Sequence, residues 1–290
     1  MMRKLIAVLL GIFLCNEATL GESPNVYVGF DRNDYPGDSS LPALRKNFRY
    51  TSYWLNNPPG EKQNSWTGKR SLLKQQGFGF LVLFNGRLDA ELKGKDAAAL
   101  GAMDGKSAVT EAATEGFRSN IVIFLDQEEG GRLLPEQIAY ILAWVDAVRG
   151  GGDRAGVYCS GIKVPDRGST ISTAQDMVAQ EKARTRVAGH AAGAGGSLLK
   201  LYLWVANDQC PPSPGCTQTD RSPSDGFSAS GPDRAIVWQY AQSPRRKQFS
   251  AGCPKNNDSD GNCYAPGLPH SASTFLDLNV ANSPDPSEAP

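Results

Sequence analysis

The stretch IVIFLDQEEGG, residues 121–131, runs from five apolar residues straight into Asp126, Glu128 and Glu129. Ile121 to Leu125 suits a strand buried on both faces. Side chains two apart on a strand point the same way, so Asp126 and Glu128 would share a face, about 6–7 Å apart at the backbone. Glu129 would point elsewhere, toward a helix layer or solvent. Two close acids in a partly dry site cannot both ionise freely, and one carboxyl must hold its proton at higher pH than usual. That is what a general acid working near neutral pH needs. A lone D-x-E is also common at solvated strand ends, so its surroundings decide between the readings.

Those surroundings repeat along the chain. β-rich runs occur at 25–31, 49–55, 77–86, 120–126, 154–160, 201–206, 235–241 and 274–280. Helical patterns precede the third and fourth runs (WTGKRSLLKQQ and residues 96–115) and occupy 135–149 and 172–188. In 135–149, Pro135 fits a first helical turn, and Ile138, Ile141, Leu142 and Val145 form one apolar face. Alternating β and α elements argue for βαβ units. Between the sixth, seventh and eighth runs only Pro, Ser, Gly and Asp-rich stretches occur. The expected fold is therefore α/β: a single modified TIM-type (β/α) barrel of eight strands, with helices missing between the last ones.

In such a barrel, chemistry gathers where the strands end. The rim would collect Asp31, Asp126, Glu128 and Asp277 as acids. Tyr158, Trp204, Trp238, Gln239 and Tyr240 would bind substrate, since aromatic rings suit the faces of sugars. Trp204 and Trp238 fit a core role equally well.

The chain has 290 residues, 40% hydrophobic and 21% charged, with Lys plus Arg and Asp plus Glu at 30 each. That composition supports a large core and gives no basic surface for nucleic acid. Arg3 and Lys4, the apolar stretch Leu5–Leu14 and the small or polar residues to Gly21 follow the order of a secretory signal. Residues 1–21 are read as that signal, 22–282 as the barrel and 283–290 as a disordered tail. Leu14 is bulky where a lipoprotein signal before Cys15 would want a small residue, and no membrane insertion is expected after cleavage. The expected product is secreted or extracytoplasmic and monomeric.

Export permits disulfides. Cys210 with Cys216, and Cys253 with Cys263, bracket short turn-rich loops, and local pairing is expected. Cys159 is left as a buried structural thiol. His190 and His270 are the only histidines, too few for a paired-histidine phosphodiesterase and unfavourable to a zinc site or a Ser–His triad. NNDSDGN (256–262) has oxygen ligands like part of a calcium loop but lacks a distal glutamate, so a closed turn is expected and no metal or cofactor.

The segments VGFDRNDYPG, FLDQE, AGVYCSG, LYLWVA, VWQYA and FLDLNVA resemble, in order, strand signatures of family 25 glycoside hydrolases, the lysozyme-type muramidases. LPALRKNFRYTSYWLNNPP and LLKQQGFGFLVLFNGR are closer to a related exported bacterial group, the glycoside-hydrolase-like domain of unknown function 1906. The resemblance spans about residues 25–282. It implies cleavage of peptidoglycan β-1,4 bonds, with Glu128 as proton donor, Asp126 orienting the substrate acetamido group or stabilising charge, and Asp31 and Asp277 tuning the pair. DRNDYPG and YWLNNPPGEKQNSW depart from the muramidase pattern. A barrel that binds cell-wall glycan without cutting it is the alternative. A chitinase-type D-x-x-D-x-D-x-E motif is not matched, because Ile121 and Phe124 stand at its earlier acidic positions.

Overall fold

A computed structural model describes residues 26–191, 201–208, 235–242 and 276–290. Eight strands close into a barrel: β1 (Tyr27–Asp31), β2 (Tyr50–Trp54), β3 (Gly79–Asn85), β4 (Val122–Asp126), β5 (Arg154–Ser160), β8 (Tyr202–Ala206), β9 (Ala235–Ala241) and β10 (Asp277–Ala281). A small hairpin, β6 (Val164–Asp166) with β7 (Ser169–Ile171), follows β5. The helices are α1 (Leu41–Asn47), α2 (Arg70–Gln75), α3 (Asp89–Leu92), α4 (Ala97–Thr114), α5 (Pro135–Gly150) and α6 (Thr173–Ala191). All eight barrel strands coincide with the apolar runs because β2, β3, β4 and β9 are buried nearly throughout. Their continuous hydrophobicity is what a doubly covered strand requires.

The strands pair in parallel from β1 through β2, β3, β4, β5 and β8 to β9. The closing strand β10 instead runs antiparallel to both neighbours. Its first residue, Asp277, therefore stands opposite the last residue of β1, Asp31. In a parallel β10 the same position would lie toward the other mouth. One reversed strand thus carries a carboxylate from a strand beginning to the rim where the other strands end.

On α5 the buried stripe is Gln137, Tyr140, Ile141, Trp144, Val145 and Val148. It is rotated from the expected face, since Ile138 and Leu142 are only half-buried. Two glycines on α4 let the α5 backbone approach closely. A Cβ at Gly101 would lie 2.1 Å from the Tyr140 carbonyl oxygen, and one at Gly105 2.7 Å from that of Trp144. Asp96 caps α4 by accepting the Ala99 N–H at 3.0 Å, satisfying a helix-end donor.

The chain end is not a disordered tail. Ser287 is fully buried and bridges two strands as a one-residue rung. Its N–H donates to the Phe80 carbonyl at 2.9 Å, and its own carbonyl accepts the Val122 N–H at 2.9 Å. Its Oγ accepts the Val82 N–H at 2.9 Å, and Asp285 Oδ1 accepts the Phe80 N–H at 3.0 Å. The β3–β4 ladder begins only at Val82, so the segment fills the gap between the N-terminal ends of those strands. Glu288 pins it from outside, 2.6 Å from Arg70 and 2.8 Å from Lys74. A polar, proline-containing end is ordered here by backbone edges that need partners.

Residues 1–21, read as a signal, the four cysteines 210, 216, 253 and 263, His270 and residues 256–262 lie outside the described residues, as does nearly all of the stretches 207–234 and 242–273. No helix among the described residues is long and apolar enough to cross a membrane.

Candidate active site

A cavity of about 280 Å³ opens at the C-terminal ends of the strands. Asp31, Asp126, Glu128 and Asp277 line it, from β1, the end of β4, the turn after β4 and the start of β10. Tyr158, Trp204 and Gln239 complete three of its walls. The structure thus brings together four acids and three other residues singled out from sequence. It does not bring Trp238 and Tyr240. They flank Gln239 on β9 and take the opposite face, because neighbours on a strand alternate. Both are buried, 5.8 Å apart in an edge contact, and the Trp238 indole donates to the Asn207 carbonyl at 2.9 Å. Theirs are core positions.

Asp126 is 3% exposed, and neither of its oxygens has a hydrogen-bond donor among the described residues. Burial, then the charges of Glu128 and Asp31, push its carboxyl well above the ordinary range. Glu128 sits at the open mouth and is exposed as a residue, yet protein crowds its carboxyl. That crowding and the Asp277 charge raise it too, while its contact with Asp126 works the other way. Water reaches Glu128, so the larger rise belongs to Asp126. The pair holds a proton at a pH where isolated carboxyls have lost theirs. Glu129 turns away, accepting the Asp89 N–H at 2.7 Å and the Gln137 amide at 2.6 Å.

A connected polar network fixes the opposite wall. The Tyr158 hydroxyl donates to Gln239 Oε1 at 2.9 Å, and Gln239 Nε2 donates to Asp31 Oδ1 at 3.0 Å. Asn279 Nδ2 donates to the same Asp31 oxygen at 2.6 Å, while Asn279 Oδ1 accepts the Trp204 indole N–H at 2.9 Å. Tyr158 and Trp204 pack edge to face at 4.8 Å, and Phe124 supports Trp204 from 5.9 Å. Burial and the four nearby carboxylates raise the Tyr158 phenol far above its usual value, keeping it a neutral donor. Cys159, one residue on, faces the other way, buried and free, its thiol pushed up to about 12 by burial. It is an inert packing group.

Sequence reading missed Asn33, Trp54, Leu83 and Gln242 in the lining, and Asn279 behind it. The one available signal was Asn279: a polar residue two after Asp277 on an apolar strand must share its inward face. Among the described residues no group of three or more His, Cys, Asp or Glu is arranged to hold a metal ion.

The eight strands thus form a closed α/β barrel with an acid cluster at its rim. Residues 48–191 match the family model described as "Rv2525c-like, glycoside hydrolase-like domain", so that stretch carries this domain, in agreement with the resemblance read from sequence. No curated protein matches the chain. Among solved structures, an uncharacterized B. stearothermophilus protein aligns with TM-score 0.57 at 18% identity, covering 88% of this chain and 95% of that one, which shows a shared fold. The Mycobacterium tuberculosis Tat-secreted protein Rv2525c, solved with HEPES, aligns with TM-score 0.46 at 13% identity over 91% and 98% of the two chains. A family 25 glycosyl hydrolase from Bacillus anthracis aligns with TM-score 0.42 at 9% identity over 89% of each.

Proposed function

We propose that this protein is a secreted glycoside hydrolase acting on the β-1,4 bonds of peptidoglycan, with Glu128 as general acid. The carrying observation is the coupled, proton-holding pair Asp126 and Glu128 inside one rim cavity. In this reading the proton that the pair shares passes through Glu128 to the glycosidic oxygen as the bond from that oxygen to the anomeric carbon breaks, which leaves Asp126 ionised. The positive charge developing at that carbon is stabilised by Asp126 and its neighbours Asp31 and Asp277. Water then supplies its oxygen to the anomeric carbon and returns a proton to the carboxyl pair. Tyr158 and Trp204 offer the apolar edge for a sugar ring, and export follows from the pattern of residues 1–21.

The test is release of reducing ends from purified peptidoglycan by the wild type, Glu128→Gln and Asp126→Asn. Glu128→Gln is expected to lose about 10²–10⁴-fold in rate, with its melting temperature kept. A second reading, a glycan-binding barrel without turnover, is favoured by the absence, among the described residues, of any N–H donor to Asp126. It predicts no reducing ends from any of the three proteins and equal peptidoglycan pull-down by all of them.

A further inference from the structure

Glu128 is exposed as a residue. Packing alone does not fix the direction of such a side chain, which inherits it from the backbone beneath. That backbone is anchored at both ends. On the strand side the Asp126 carbonyl accepts the Gly86 N–H at 3.2 Å, and the Gln127 N–H donates to the Tyr158 carbonyl at 3.0 Å. On the helix side Arg132 pairs with Asp166 at 2.7 Å, and the Leu133 N–H donates to Asp176 Oδ2 at 2.9 Å. Between the anchors lie Glu128, Glu129, Gly130 and Gly131. Two adjacent glycines make this span permissive, and Gly131 takes a φ of 94°, in the left-handed region.

Glu129 fastens the span. Its Oε2 accepts the Asp89 N–H at 2.7 Å and the Gln137 amide at 2.6 Å. Gln137 is itself held, buried at the start of α5 with its Oε1 accepting the Leu134 N–H at 2.8 Å. One carboxylate oxygen thus joins the start of α3, the turn after β4 and the first turn of α5. Bonds to a charged acceptor at these lengths are the strong kind. We propose that Glu129 is a positioning residue: by gripping Asp89 and Gln137 it holds the 128–131 turn so that Glu128 stays against Asp126 at the cavity mouth. The inference rests on the hydrolase reading above and adds a residue to that same site. The role is geometric. Both bonds go to one oxygen, so the single amide oxygen of Gln, with its two lone pairs, can make them, and Ala cannot. A turn that lets Glu128 swing into water also eases the burial that raises it, and the shared proton then leaves at lower pH.

The test is kcat, KM and the pH–rate profile on purified peptidoglycan for the wild type, Glu129→Ala and Glu129→Gln. Glu129→Ala is expected to lose about 10²-fold in kcat, the penalty of about 1 Å of misplacement, with KM nearly unchanged and the alkaline limb moved to lower pH. Glu129→Gln should recover most of the rate and the wild-type limb. A loss of rate that only follows the folded fraction, with the limb in place, overturns the inference. So does a Gln variant as impaired as the Ala one, which would make the charge of Glu129 the active property. Carboxyl ¹³C NMR titration resolving Glu128 reads the pair without turnover. A lower midpoint in Glu129→Ala than in the other two proteins supports the inference, and one midpoint shared by all three overturns it. Where no protein releases reducing ends but the midpoint moves, the hydrolase reading fails and the positioning role stands. Turnover by the wild type that Glu129→Ala leaves unchanged in rate and limb does the reverse. Should Glu129→Ala not fold, Gln137→Ala loosens the same grip from the helix side and is read by the same measurements.

Discussion

Two aspartates, one at each mouth of the barrel, are both raised by burial but differ in what opposes the rise. At the N-terminal mouth Asp285 is half-buried and accepts the N–H groups of Phe80 and Glu288. At the C-terminal mouth Asp126 is buried and accepts none among the described residues. Burial raises both carboxyls, and a neighbouring glutamate adds to the rise in each. At Asp285 the backbone N–H groups pull back and hold the value to about 6. At Asp126 no backbone donor opposes the rise. A buried polar group with partners ties the chain together; one left without them costs stability and is kept for what it can do to a ligand. The same contrast runs through the carboxylates beside them. Burial works against ionised Glu288 as well, but Lys74 and Arg70 hold it below its usual value, whereas burial and the Asp277 charge raise Glu128.

The largest way to break this comparison is to remove the lower mouth's closure. Deleting residues 283–290 strips acceptors from Phe80, Val82 and Val122 and a donor from the Phe80 carbonyl. At about 1 kcal/mol for each bond, more where the orphaned group stays buried, the loss should be about 3–6 kcal/mol in urea unfolding. Glycan binding should persist in whatever fraction remains folded. A truncated chain as stable as the full one would make the segment an ornament. A milder disturbance at the same place is Gly79→Ala. Its Cβ would lie 2.1 Å from the Pro284 carbonyl oxygen, a backbone atom that cannot swing aside. A cost of about 2 kcal/mol is expected from overpacking, and it should disappear in the truncated chain. A double-mutant cycle measures that coupling directly.

The upper mouth was legible in the sequence and the lower one was not, for a physical reason. Strands buried on both faces must be apolar along their length, so β2, β3 and β4 announce themselves, and Asp126, which ends β4, stands out against that background. The tail is polar and proline-containing, the composition of a segment that buries little. Its order comes from strand edges far away in sequence, which no local pattern records. The direction of β10 was hidden for a related reason. It is set by what it pairs with, β1 and β9, and an apolar run reads alike in either direction. Strand period alone separates Gln239 from Trp238 and Tyr240, but not which set faces the axis. That is decided by Asp31, which needs the Gln239 donor.

The finest distinction between the mouths lies in pH. Asp126 has a folded-state value raised above its unfolded one, so the folded protein binds the extra proton. Its contribution to stability is full below the unfolded value, near 4, and is lost as pH rises through the raised folded value. Asp126→Asn removes that decline, and the variant should gain about 1 kcal/mol over the wild type on the alkaline side. In the same variant the loss of the Asp126 charge alters the field at Glu128, so the alkaline limb of any hydrolysis profile should move. For Asp285 the sign is the same but the window is narrower, from the ordinary 3.8 to about 6. An Asn there keeps an oxygen for the Phe80 N–H. Asp285→Asn should therefore flatten stability only across that window, by less than about 1 kcal/mol, since partial access to water screens the group. Chemical denaturation of both variants from pH 4 to pH 9 separates them. If Asp285→Asn flattened the profile as far into alkali as Asp126→Asn, backbone donors would not be what distinguishes the two aspartates, and the contrast between a closed mouth and a reactive one would lose its physical basis.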